Sequence, residues 1–200
     1  MNITANIVQD LSGISISEKR KMELMPLISY LKKQVANQKN SQLNFICTHN
    51  SRRSQFSQFW AKVMADHYGI SCATFSGGVE VTACNERVIK TLKNQGFSVE
   101  NNEDQENPRY LIGFKDHTYG VFFSKKYDHP ENPNEDFAAI MTCGHADENC
   151  PFIPGADERI PIRYKDPKIF DDTVNETQGY LDKSIEIASE MNYIFSQVGS

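Results

Sequence analysis

The feature that most constrains this chain is the run from Leu43 to Met64. A short apolar stretch, Leu43 to Ile46, leads into CTHNSRRS, and Phe56, Phe59, Trp60, Val63 and Met64 follow at helical spacing. Strand, loop and helix in immediate succession make the first half of a βαβ unit. A second such pair comes next: Cys72 to Phe75 reads as a strand ending at Ser76, Gly77 and Gly78, and Asn85 to Gln95 as a helix closed by Gly96. Two strand–loop–helix units predict an α/β fold with a mainly parallel sheet. Phe137 to Met141 has the composition of a buried strand, Ile160 to Tyr164 reads as a last strand, and Val174 to Val198 as a long closing helix. Tyr110 to Phe114 and Tyr119 to Phe123 flank a turn and predict an inserted β-hairpin. Ahead of all this, Ser17 to Asn40 carries Met22, Met25, Leu27, Ile28, Leu31 and Val35 at helical spacing, a helix kinked or begun at Pro26. The expected organisation is an N-terminal helical arm, 1–40, packed on a domain spanning 41–200.

The first loop carries chemistry. Five residues separate Cys47 from Arg53, and the segment between them leaves a strand and opens a helix. Such a loop aims backbone N–H groups at one point, where the helix dipole adds partial positive charge, and so suits a tetrahedral oxyanion. Arg53 can hold two oxygens with its fork, and the positive surroundings favour the thiolate of Cys47. A thiolate beneath a bound oxyanion is an in-line nucleophile. Ser54 is placed to hydrogen-bond the sulfur, and Asn50 to pin the loop through its amide.

Any anion has to be held locally, because the 200-residue chain carries 26 acidic against 21 basic residues, a net charge of −5. That balance gives no footprint for nucleic acid. With 39% apolar residues the chain is globular in composition, and no apolar run approaches the ~18 residues of a membrane span. MNITANIVQD lacks the pattern of a secretory signal, and five cysteines cannot all pair, so the thiols are expected in a reducing, cytoplasmic setting.

Cys143 and Cys150 stand seven positions apart after the strand that begins near Phe137, on a polar segment able to move. Parallel strands end on one edge, so the loops after Ile46 and Met141 are expected to face each other, bringing Cys143 near Cys47. One thiol could then form a disulfide with the nucleophile and a third pass the oxidation outward. Alternatively Cys143, His145, Asp147 and Cys150 supply ligands to zinc, in an interaction module rather than an enzyme. Cys72 and Cys84 read as structural thiols.

FICTHNSRRSQ resembles the FxCTGNSCRSxM-type loop shared by low-molecular-weight protein tyrosine phosphatases and the thioredoxin-coupled arsenate reductases of the same fold. The family glycine is His49 here, which strains the loop if that position is left-handed, and the second family cysteine is Arg52, which adds charge near the site. TCGHADENCPFIPG resembles the TLCSDADxNCPxxP segment of the reductases, a cysteine pair that ordinary phosphatases of this fold lack. YKDP matches the family's Asp-Pro motif, which gives Asp166 the role of general acid. Extending from Leu43 to about Phe170, the resemblance implies a three-layer sandwich of the low-molecular-weight phosphatase type with the arm and hairpin added. It implies an oxyanion loop of Thr48, His49, Asn50, Ser51, Arg52, Arg53 and Ser54, with Cys47, Arg53, Asp166, Cys143 and Cys150 catalytic. It further implies arsenate reduction with a thioredoxin-like partner and with neither metal nor organic cofactor. The alternative is hydrolysis of phosphomonoesters through a phosphocysteine, which needs Cys47, Arg53 and Asp166 but neither Cys143 nor Cys150.

Overall fold

The structure, a computed structural model, describes residues 10–102, 106–149 and 152–199. In chain order the elements are α1 (Glu18–Ala36), β1 (Ser41–Cys47), α2 (Arg53–His67), β2 (Cys72–Gly78), α3 (Glu86–Asn94) and β3 (Ser98–Asn101). There follow β4 (Tyr110–Phe114), β5 (His117–Phe122), β6 (Phe137–Met141), α4 (Gly144–Asn149), β7 (Ala156–Pro161), a 3₁₀ turn (Pro167–Phe170) and α5 (Glu176–Val198).

The parallel sheet has the strand order β2-β1-β6-β7. β1 is an inner strand, and Leu43 to Ile46 is nearly all apolar because side chains of the helical layers cover both of its faces. Leu43 and Phe45 join Ala138 and Ile140 in the larger core, where α1, α2 and α5 contribute Leu27, Leu31, Phe56, Trp60, Ile187 and Met191. Ile46 faces the other way, with Phe137, Ala139 and Met141, under Ala146 of α4 and Ile153. Two buried or part-buried pairings join the helices of these layers: Trp60 Nε1 donates to Ser184 Oγ at 2.9 Å, and Arg20 Nε to Glu190 Oε1 at 2.7 Å.

Three local features differ from expectation. α1 begins at Ser17, whose hydroxyl accepts the Arg20 N–H at 3.2 Å, and runs through Pro26. The cap and the buried stripe of Leu24, Leu27, Ile28 and Leu31 outweigh the one lost backbone hydrogen bond. The hairpin β4–β5 gains a third strand, β3, whose sequence SVEN is polar because this edge faces solvent. The segment after Cys143, read as a loop, winds into α4.

Chain order runs from β1 outward to β2 and then returns to β6 on the opposite side of β1. The reversal lies between β1 and β6, and in open parallel sheets the crevice beyond the carboxyl ends at such a point is where ligands bind. Cys47 ends β1, and Cys143 follows β6 there.

Candidate active site

The loop from Cys47 to Arg53 is held from outside. Asn50 is its left-handed residue, with φ 47°, a conformation that asparagine tolerates, so His49 escapes the strain expected of it. The Asn50 amide oxygen accepts the Lys125 N–H at 2.9 Å, and its carbonyl accepts Gln55 Nε2 at 2.8 Å. The His49 carbonyl accepts the Ser124 hydroxyl at 2.9 Å, and the Ser51 carbonyl the Asn85 N–H at 2.9 Å. Loop carbonyls are thus spent on the surrounding scaffold, as a backbone-amide cradle for an anion requires.

Ser54 Oγ lies 3.1 Å from Cys47 Sγ and 2.8 Å from Asn50 Nδ2. The hydroxyl accepts from Asn50, which leaves its own proton free to point at the sulfur. Cys47 itself is buried. Arg53 Nη2 meets Asp166 Oδ2 at 2.7 Å, and Nη1 donates to the Tyr164 carbonyl at 3.3 Å. Its Nε is buried without a protein partner, a donor that a bound oxyanion would satisfy. Asp166 caps the 3₁₀ turn by accepting the Lys168 N–H at 3.0 Å, and its side chain is 33% exposed, so the carboxyl is open to solvent.

Thr142 N donates to the Ile46 carbonyl at 2.8 Å, which places Cys143 directly beside the loop. The Cys143 thiol lies 3.5 Å from Thr48 Oγ1 and belongs to the same buried cluster as Cys47. It also accepts the Ala146 N–H at 3.4 Å, standing in for a cap at the start of α4. Cys150 lies outside the described residues.

No protein-family model matches the chain. Over 124 residues it is 25% identical to arsenate reductase 2 of Staphylococcus haemolyticus, spanning 62% of this chain and 76% of that one. The arsenate reductase of Staphylococcus aureus is 27% identical over the same length, with the same shares covered. Among solved structures, the arsenate reductase of Archaeoglobus fulgidus superposes with a TM-score of 0.53 at 18% identity, covering 77% of this chain and 98% of its own. A YwlE mutant from Bacillus subtilis gives 0.51 at 12% identity, covering 80% and 99%. The chain is similar in sequence to arsenate reductases and shares its fold with the solved arsenate reductase and YwlE structures.

Several residues sit elsewhere than the sequence implied. The Arg52 side chain turns away from the loop to Tyr180 and Asp171. Asp147, one of the zinc candidates, has its carboxylate taken up by Arg159 and Arg163, and no group of three metal-ligating side chains occurs among the described residues. Of the aromatic side chains near the site, Tyr127 packs on the Cys47 cluster and Tyr164 is buried under the Arg20 guanidinium. Phe152 is 76% exposed. Among the described residues, no helix is long and apolar enough to cross a membrane.

Lys125 carried no sequence signal. Its side chain is buried, with the ammonium 4.4 Å from the centre of the Phe123 ring, and desolvation lowers its pKa from 10.5 to about 8. Below pH 8 the folded protein carries the cost of a buried ammonium. Above about 10.5 the lysine is neutral in both states and that cost is gone. Stability attributable to this residue therefore rises from pH 8 to 10.5. Lys125→Met should remove that rise and raise stability at pH 7 by about 1–2 kcal/mol, read as the difference in urea midpoint between variant and parent at pH 7 and 10.

Proposed function

We propose that this enzyme reduces arsenate to arsenite with three of its own thiols. Arsenate enters the loop against its amides and Arg53. The Cys47 thiolate attacks arsenic as Asp166 protonates the departing oxygen, which leaves as water, and a Cys47–arsenic bond has formed. The Cys143 thiolate then attacks Cys47 Sγ. A sulfur–sulfur bond forms, the sulfur–arsenic bond breaks, and its electron pair stays on arsenic, which leaves as arsenite. Two thiols have been oxidised to a disulfide and As(V) reduced to As(III). Cys150 next attacks Cys143, freeing Cys47 as a thiolate, and a thioredoxin-like dithiol protein reduces the resulting Cys143–Cys150 disulfide.

The observation that carries this reading is the Cys143 thiol, buried beside the loop 3.5 Å from Thr48 Oγ1. Support also comes from the arsenate reductases of Staphylococcus, similar over 124 residues. Hydrolysis of a phosphomonoester would use the same Cys47, Arg53 and Asp166 and ignore Cys143. Arsenate with a thioredoxin system, and separately an aryl phosphate, should be given to the parent enzyme and to Cys143→Ser. The variant is expected to lose at least about 100-fold in multiple-turnover reduction. Unchanged reduction, or hydrolysis by the parent with no reduction at all, would overturn the reading.

A further inference from the structure

Arg52 and Arg53 are neighbours in the chain, yet they reach opposite ends of the same short element. Arg53 pairs with Asp166, the cap at the start of the 3₁₀ turn Pro167–Phe170. Arg52 Nη2 donates to Asp171 Oδ2 at 2.8 Å, and Asp171 closes that turn by donating its N–H to the Lys168 carbonyl at 3.0 Å. Arg52 Nε also donates to the Tyr180 hydroxyl at 2.6 Å, and that hydroxyl donates to Asp171 Oδ1 at 2.7 Å. The three side chains thus form a closed ring of hydrogen bonds. All three are largely withdrawn from water, with Tyr180 fully buried in α5. Burial first, and then the bond to Asp171, push the Tyr180 phenol above its ordinary range, which keeps it a donor.

The far side of the turn is fixed as well. Arg87 in α3 donates to Asp172 Oδ1 and Glu176 Oε2, both at 2.7 Å, and the Phe170 ring lies against Gly179, where a Cβ would come within 2.2 Å of it. The element that carries the acid is therefore bolted to α3 and α5 at its back, and the two loop arginines join it to the anion site.

We propose that Arg52 is a positioning residue that acts through Asp166: with Asp171 and Tyr180 it locks the acid-bearing turn to the anion loop, so the Asp166 carboxyl stays beside Arg53. This rests on the catalytic reading of Asp166 above. A positioning role has a signature that anion binding or general stability does not share. Removing Arg52 matters only while Asp166 is present to be positioned.

The test is a double-mutant cycle in Arg52→Ala, Asp166→Asn and the double variant. The rate is that of single-turnover attack by Cys47, on arsenate and on an aryl phosphate with a poor leaving group. Arg52→Ala alone should slow attack about tenfold, and in the Asp166→Asn background less than about twofold, with the inhibition constant of inorganic phosphate changed by less than about twofold. Arg52→Lys should restore part of the rate, since the ammonium reaches Asp171 but cannot also serve Tyr180. Hydrogen exchange supplies an activity-free readout: residues 166–171 should exchange faster in Arg52→Ala, while β1 does not. Equal slowing in both backgrounds, loss of phosphate affinity in step with rate, or unchanged exchange at 166–171 would overturn the proposal. A parent enzyme inactive on both substrates, with the exchange change present, would instead sink the catalytic reading and leave the lock standing.

Discussion

Replacing Cys47 by serine is expected to lower kcat/KM for the proposed arsenate reduction, and for any aryl phosphate hydrolysed, by about 10⁴-fold or more. The alkoxide needed from serine is far less accessible than a thiolate. The fold should survive, because the replacement is near-isosteric and Asn50 still bonds Ser54. Steady-state rates together with an unshifted urea midpoint check both halves. Retention of more than a hundredth of the parent rate would remove Cys47 from the role of nucleophile.

Gly77→Ala should lower stability by about 2–4 kcal/mol. A Cβ at Gly77 would lie 2.3 Å from the Tyr127 Cα and 2.7 Å from its nitrogen, so backbone rather than a yielding side chain must move. That backbone cannot move alone. Tyr127 N donates to the Gly78 carbonyl at 3.0 Å, the Lys125 carbonyl accepts the Gly78 N–H at 2.8 Å, and Lys125 N holds Asn50. The strain is therefore expected to reach the anion loop, lowering affinity for inorganic phosphate along with the urea midpoint. A midpoint change equivalent to under about 0.5 kcal/mol would contradict this packing.

How far the sequence could be read follows the distance over which each residue acts. The strand β1, the helix α2 and the loop between them are local patterns, and Cys47, Ser54, Asn50 and Arg53 could be placed from them directly. Cys143 followed from the shared edge of parallel strands, whereas Asp166 became legible only through resemblance, since an Asp-Pro dipeptide is common. Gly77 and Gly78 read as a strand end, while the reasons for them are the Tyr127 backbone against Gly77 and the Thr48 and Asn50 backbone of the anion loop against Gly78, contacts that no local pattern shows. Arg52 was read as added charge at the anion, because its partners Asp171 and Tyr180 are far along the chain. α4 went unseen because GHADEN is short and polar and its start is served by a thiol, which is no capping signal.

The most direct test of the thiol relay is a stoichiometric trap. Cys150→Ser enzyme, fully reduced and free of external thiol, is given one equivalent of arsenate, alkylated and analysed by peptide mass spectrometry. One equivalent of arsenite with a Cys47–Cys143 disulfide is predicted. Arsenite without that disulfide, or no arsenite while Cys47 and Cys143 are both recovered alkylated, would contradict it.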